Sequence, residues 1–371
     1  MRTAFLTLLA VAGGWRLVGA PVQEAPAKPP IEIRLVGASD PDLERRIEEI
    51  LADFPELKRH RTRRFEILTD LSGPEAARDG QLLERTAHAV DDFGVALGYP
   101  SRLETPREVR HLAIAFARRD DFIRFSRGRD GVDGTWLGGY FSPRGPHLVY
   151  HNAADHPAVR RARNRIDRAA EPDRNRSGDL VSPHEVLDEY VTKANAAVVV
   201  HEATHMLLHD GGIAPADSMQ SDWLLEGLAG SFEPARPDRR FGPLRPTNGR
   251  TEEFRELLAV GDEPTLHDLV SRRRFSPDRN AHACYAASAT LCSWLARNRP
   301  MALRRYLDLT GTMTDDGNEQ DIPGDADGDH LVRKFEEVFG DLARLEREWI
   351  RSERAAASIP LAVVSPSEEA R

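Results

Sequence analysis

The sequence predicts an α+β fold. Segments with the two-residue alternation of strands all fall before His151, whereas from Val186 onward apolar residues recur every three or four positions. A polar stretch, residues 152–184, separates the two regimes.

Along the chain, Ile31 to Val36 is expected to form a short strand and Asp42 to Phe54 an amphipathic helix. Phe65-Glu66-Ile67-Leu68-Thr69 alternates like a half-buried strand. Ser72-Gly73-Pro74 then opens a helix to about Leu97, with Leu83, Ala87, Val90 and Leu97 on one face. A strand over Val109 to Phe116 and a short helix follow. Gly138 to Tyr150 has the pattern of a hairpin that reverses at Ser142-Pro143-Arg144-Gly145. Residues 152–184 carry Arg160, Arg161, Arg163, Arg165 and Arg168 and are expected as a surface insertion, the alternative being a patch for an acidic partner. The remainder is expected to be helical, apart from an acidic loop (Thr314 to Asp329) and a disordered tail over 357–371.

A chain of 371 residues holds one large core or two modest ones. The expected division is a leader over 1–20, a proline-rich spacer and helix over 21–56, and one domain over 57–356. Apolar content of 40% with 30% charged residues marks a soluble globular chain, and a net charge of −9 argues against a nucleic-acid partner. Arg2 followed by the apolar run Ala4 to Trp15 has the layout of an export signal and is too short to span a bilayer comfortably. Pro21 opposes cleavage after Ala20, so an uncleaved anchor is the alternative. The expected destination is periplasmic or extracellular. Cys284 and Cys292 stand eight apart on one expected helix, about 12 Å along its axis, so no disulfide is expected between them. Asp325-Ala326-Asp327-Gly328-Asp329 has the acidic start of a calcium loop. His330 stands where glycine is needed, and no glutamate falls at the twelfth position, so a solvated loop is expected.

The chemistry-bearing segment is Val186 to Asp210. Leu187, Tyr190, Ala194, Ala197, Val198, His201, His205 and Leu208 mark one helix face, so an apolar stripe runs into two histidines. Residues four apart project from adjacent turns in one direction, and both imidazoles can reach one ion. Glu202 is rotated about 100° from that line, beside such an ion rather than on it. Ser221 and Asp222 can cap a second helix, on which Glu226, Ala229, Gly230 and Glu233 share a face. Ala229 and Gly230 are small enough for close approach to the first helix, and Glu226 can supply an anionic oxygen as third ligand. The twenty residues between His205 and Glu226 include Gly211-Gly212 and Pro215, enough for a returning loop.

His201-Glu202-Ala203-Thr204-His205 followed by Trp223-Leu224-Leu225-Glu226-Gly227-Leu228-Ala229 resembles the gluzincin branch of zinc metallopeptidases, which holds thermolysin-like and aminopeptidase-N-like enzymes. Within that branch the chain is similar to an uncharacterised group of exported bacterial proteins. The resemblance covers roughly Phe65 to Trp349, with its specific motifs on two helices. It implies His201, His205 and Glu226 as zinc ligands and Glu202 as general base. It also implies a small mixed sheet packed on the active-site helix, followed by a helical lobe.

Several departures narrow the match. Leu208 and Gly211 stand where a metzincin needs glycine and histidine, and Gly311-Thr312-Met313-Thr314-Asp315 misses the aspzincin spacing by one. The Gly-x-Met-Glu-Asn segment of aminopeptidase-N-like enzymes is absent. The carboxylate that thermolysin-like enzymes carry four residues after the third ligand is replaced by Gly230, so support for the histidines has to come from elsewhere. Tyr285 is a candidate oxyanion donor, with an ordinary core aromatic as the alternative. His209 is expected at the surface, and His147, His151, His156 and His184 lack ligand spacing. Gly138-Gly139-Tyr140 is a candidate strand edge for an extended substrate, or a tight bend.

The combined expectation is an exported zinc-dependent hydrolase of amide bonds, acting on a peptide or protein. Three protein ligands leave a fourth position open on the metal, where water loses its proton to Glu202. A hydrolase of non-peptide amides, or an inactive metal-binding scaffold of the cell envelope, are the alternatives.

Overall fold

The computed structural model describes residues 41–103, 110–142, 145–169, 182–214, 221–272, 275, 281–311 and 329–358. The expected leader, the strand over 31–36, residues 325–328 of the calcium-like segment and residues 359–371 lie outside the described residues. Along the chain run α1 (Pro41–Asp53), β1 (Lys58–Arg61), β2 (Phe65–Thr69), α2 (Gly73–Ala96), β3 (His111–Phe116), α3 (Arg119–Phe125), β4 (Gly139–Ser142) and β5 (His147–His151). Helices then follow without further strands among the described residues: α4 (Pro157–Ala169), α5 (Pro183–Asp210), α6 (Asp222–Phe232), α7 (Thr251–Val260), α8 (Leu266–Val270), α9 (Ala281–Asn298), α10 (Pro300–Gly311), α11 (Asp329–Phe339) and α12 (Leu342–Ser358). The α+β arrangement holds, and α12 reaches two residues into the stretch expected as tail.

The strands form one mixed sheet in the order β1-β2-β3-β5-β4. β2, β3 and β5 pair in parallel at its centre, and β1 and β4 close the edges antiparallel. Alternation along each strand divides its side chains between two cores. Phe65, Ile67, Ala113, Ala115 and Leu148 meet α2 and α5, while Leu68, Leu112, Ile114 and Val149 meet α1 and α3. That two-sided cover corrects the expectation of a half-buried strand at 65–69, because all five of its residues are buried. Glu66 is tolerated there because Arg59 and Arg61 of β1 each reach its carboxylate at 2.8 Å. β1 has no apolar residue to announce it. Its charged side chains instead protect an open edge from pairing with other chains.

α2 starts at a reciprocal cap in which Glu75 accepts from the Ser72 amide at 3.1 Å, and its four expected face residues are all buried. α4 docks on α5 through Val159 and Ile166 against Leu187, with Arg163 paired to Asp188. The arginine-rich segment is therefore partly a docked helix, with Arg160, Arg161, Arg165 and Arg168 facing outward.

α5 begins with a second reciprocal cap between Ser182 and Glu185. Its first half is amphipathic, but from Val198 to Thr204 every residue is buried. The sheet and α2 enclose this part of the helix together with α6, and so bring the two histidines into the interior. α6 crosses α9 so closely that a Cβ at Gly227 would lie 2.8 Å from both Ser288 O and Cys292 Sγ. Cys284 and Cys292 are free thiols, as expected.

His151 at the end of β5 makes a stability prediction. It is 2% exposed beside Phe122, its Nδ1–H donates to Asn152 O, and burial holds its pKa down at about 4. The unfolded chain takes this proton near pH 6.5, whereas the folded chain resists until pH approaches 4. Stability is therefore full above pH 6.5 and falls as the pH drops through that window. At about 1.4 kcal/mol per pH unit, this one group accounts for a loss of about 3 kcal/mol. Urea midpoints at pH 7 and pH 4 should fall further apart for wild type than for His151→Gln.

Candidate metal centre

His201 and His205 project from adjacent turns of α5, their ring centroids 4.9 Å apart. Glu226 on α6 faces both, its Oε2 lying 3.0 Å from His201 Nε2 and 3.6 Å from His205 Nε2. The two Nε2 atoms are 3.2 Å apart. Ligands about 2.0–2.1 Å from a tetrahedral ion lie about 3.3 Å from one another, so this triangle has the size that a small divalent cation requires. His201, His205 and Glu226 are thus brought together as the sequence anticipates.

The glycines of α6 bring it against α9 rather than α5, since a Cβ at Gly230 would meet Ala289 at 3.1 Å, which corrects the expectation for Gly230, and the start of α6 also differs from expectation. Ser221 occupies the cap position without a side-chain cap bond, and the Asp222 carboxylate instead accepts the Phe275 amide at 2.8 Å.

The electrostatics favour positive charge at the triangle. Burial opposes a charge on His201, yet hydrogen bonds to Glu226 and Glu233 push its pKa up to about 10. Burial alone would raise Glu226, but His205 and His201 hold it well below the usual carboxylate range. Glu202 is 6% exposed. Desolvation raises its pKa, while nearby His201 and His205 and the Phe141 backbone amide favour its charged form. It neighbours the triangle without belonging to it.

Two contributors escaped the sequence reading. His201 Nδ1–H donates to Glu233 Oε1 at 2.9 Å, so Nε2 is the nitrogen turned towards Glu226 and His205. Arg250 donates from Nη2 to the same oxygen at 3.1 Å, and its Nε lies 2.8 Å from Oε2. The signal for Glu233 was its shared face with Glu226; nothing local pointed to Arg250.

Tyr285 is buried on α9, its ring edge-on to Phe275 at 5.4 Å. His209 is half-buried and outside the triangle, its ring 5.4 Å from Phe141. His147 contacts Asp130 at 2.8 Å and Arg46 at 3.0 Å, and His184 contacts Asp167 at 2.8 Å. β4 is an edge strand, and it packs on α5.

No curated protein matches the chain. Residues 195–314 are similar to a family described as a protein of unknown function, DUF1570. The matched segment contains His201, Glu202, His205, Glu226, Glu233, Arg250 and Tyr285.

Proposed function

We propose that the chain is an exported zinc-dependent hydrolase that cleaves amide bonds in peptides or proteins on a thermolysin-like catalytic arrangement. The observation that carries this reading is the triangle of His201, His205 and Glu226 with a further carboxylate, the buried Glu202, beside it. Two imidazoles and a carboxylate, without thiolates, form a donor set suited to zinc at a catalytic site. When bound, zinc would polarise a carbonyl and make water acidic enough to react near neutral pH.

The remaining work falls to the protein. His201, His205 and Glu226 would hold the cation. Glu202 accepts a proton from the attacking water and returns it to the nitrogen of the departing amine. Tyr285 is the proposed donor to the oxyanion, and the free edge of β4 is proposed to align an extended substrate. A scaffold that only bound metal would have no use for a buried carboxylate at position 202.

The test is to purify the protein, count its metal, and assay it against peptide libraries and cell-wall fragments. About one zinc per chain, with hydrolysis of peptides abolished by chelator and restored by zinc, is expected. Zinc without hydrolysis would leave the scaffold, and cleavage confined to cell-wall fragments would move the substrate class to non-peptide amides.

A further inference from the structure

We infer that Glu233, clamped by Arg250, is the positioning residue that fixes His201 for the cation. This inference rests on the cation site proposed above. It starts from the space beside position 230 on α6. A Cβ at Gly230 would meet Ala289 Cβ at 3.1 Å, with Arg250 Cγ and Glu233 Oε1 each at 3.9 Å. A Cβ there would require Ala289 to give by a few tenths of an ångström, while Arg250 and Glu233 already stand at contact distance. The support for His201 therefore arrives from the end of α6.

Pro234 makes that route possible. A residue before proline is disfavoured in the helical region, and Glu233 leaves α6 with φ −53° and ψ 125°. Its carboxylate is 3% exposed and receives the His201 Nδ1–H at 2.9 Å. A carboxylate in this position fixes both the tautomer and the plane of a ligand imidazole.

An isolated carboxylate would be costly to bury, and Arg250 neutralises it. The guanidinium spans both carboxylate oxygens, through Nη2 to Oε1 and Nε to Oε2. The segment that delivers Arg250 is anchored at three places. Gly249 N–H donates to Glu233 O at 2.7 Å, Arg250 N–H donates to Asn248 Oδ1 at 2.8 Å, and Asn248 Nδ2 donates to Ser293 Oγ of α9 at 2.9 Å. Arginine is suited to this position because its planar fork restrains the carboxylate in two directions, which a lysine ammonium does not.

Two variants, one near-isosteric and one that preserves charge, test the inference, each checked for the thermal transition of metal-free wild type. Zinc affinity is measured on the full chain by competition with a chromophoric chelator, and the geometry is read from the visible spectrum of the cobalt-substituted protein. Glu233→Gln should bind zinc about 10- to 100-fold more weakly and shift the cobalt bands. Arg250→Lys keeps the positive charge and loses the fork. It should weaken zinc binding several-fold and shift the bands in the same direction, whereas a purely electrostatic or structural role predicts no change. Wild-type affinity and spectrum in Glu233→Gln would overturn the role of Glu233, and the same result in Arg250→Lys would overturn the clamp. A wild type that binds neither metal would instead remove the cation site beneath both.

Discussion

Glu202→Gln is expected to keep its metal and its fold while losing about 10²- to 10⁴-fold in hydrolysis. The substitution is nearly isosteric, so the packing of α5 against the sheet is unchanged. Glutamine can still accept the Phe141 amide, the backbone contact that Glu202 makes. It cannot take a proton from water or return one to a leaving amine. Glu202 is outside the triangle of candidate ligands, so metal content should stay at the wild-type value. Burial disfavours its charged form, and a neutral amide there should leave stability equal or slightly higher. Metal analysis, thermal melting and turnover on one verified substrate separate these effects. Unchanged turnover would remove Glu202 as the base. Loss of metal together with activity would make it a ligand or a packing residue instead.

How much of this was legible depends on whether the information is local. The hairpin of β4 and β5 and the strand at 65–69 follow from alternation, and α5 from Val186 onward follows from an apolar stripe, whereas its start at Pro183, capped by Ser182, fell inside the stretch expected as an insertion. The spacing of His201 and His205 indicates which imidazoles can converge, because helix periodicity fixes direction, whereas the glycines of α6 face α9 and did not locate the third side chain. β1 was not legible. Lys58-Arg59-His60-Arg61 pairs with β2 and sets Arg59 and Arg61 against Glu66, a match visible only once the two strands are paired. Full burial of β2 was missed for a similar reason, since the second cover comes from α1 and α3, whose docking leaves no mark within residues 65–69. Glu233 lay on the expected face, but its approach to His201 depends on Pro234 ending the helix and on Arg250, 17 positions further along the chain.

Glu226→Ala should have the opposite signature to Glu202→Gln, with metal and activity lost together. Glu226 supplies the one anionic oxygen in the triangle, 3.0 and 3.6 Å from the two imidazoles. Its removal leaves two donors on α5, and nothing in the changed side chain can replace the third. Zinc sites with a full ligand set bind with about 10–16 kcal/mol, so one ligand of three or four accounts for about 3 kcal/mol or more, a factor of at least about 100 in affinity. Dialysis against a moderate chelator should therefore strip the variant while wild type keeps about one zinc per chain. Gly227 and Gly230, which set the approach of α6 to its neighbours, are untouched, and the helix should stay in place. Thermal melting then gives a reading independent of any substrate. A ligand that binds only the folded state raises the melting temperature by mass action, so chelator should lower the wild-type transition and leave that of Glu226→Ala where it was. A variant that retained stoichiometric zinc and a chelator-sensitive transition would show that the cation is held elsewhere, and the hydrolase reading would lose its third ligand.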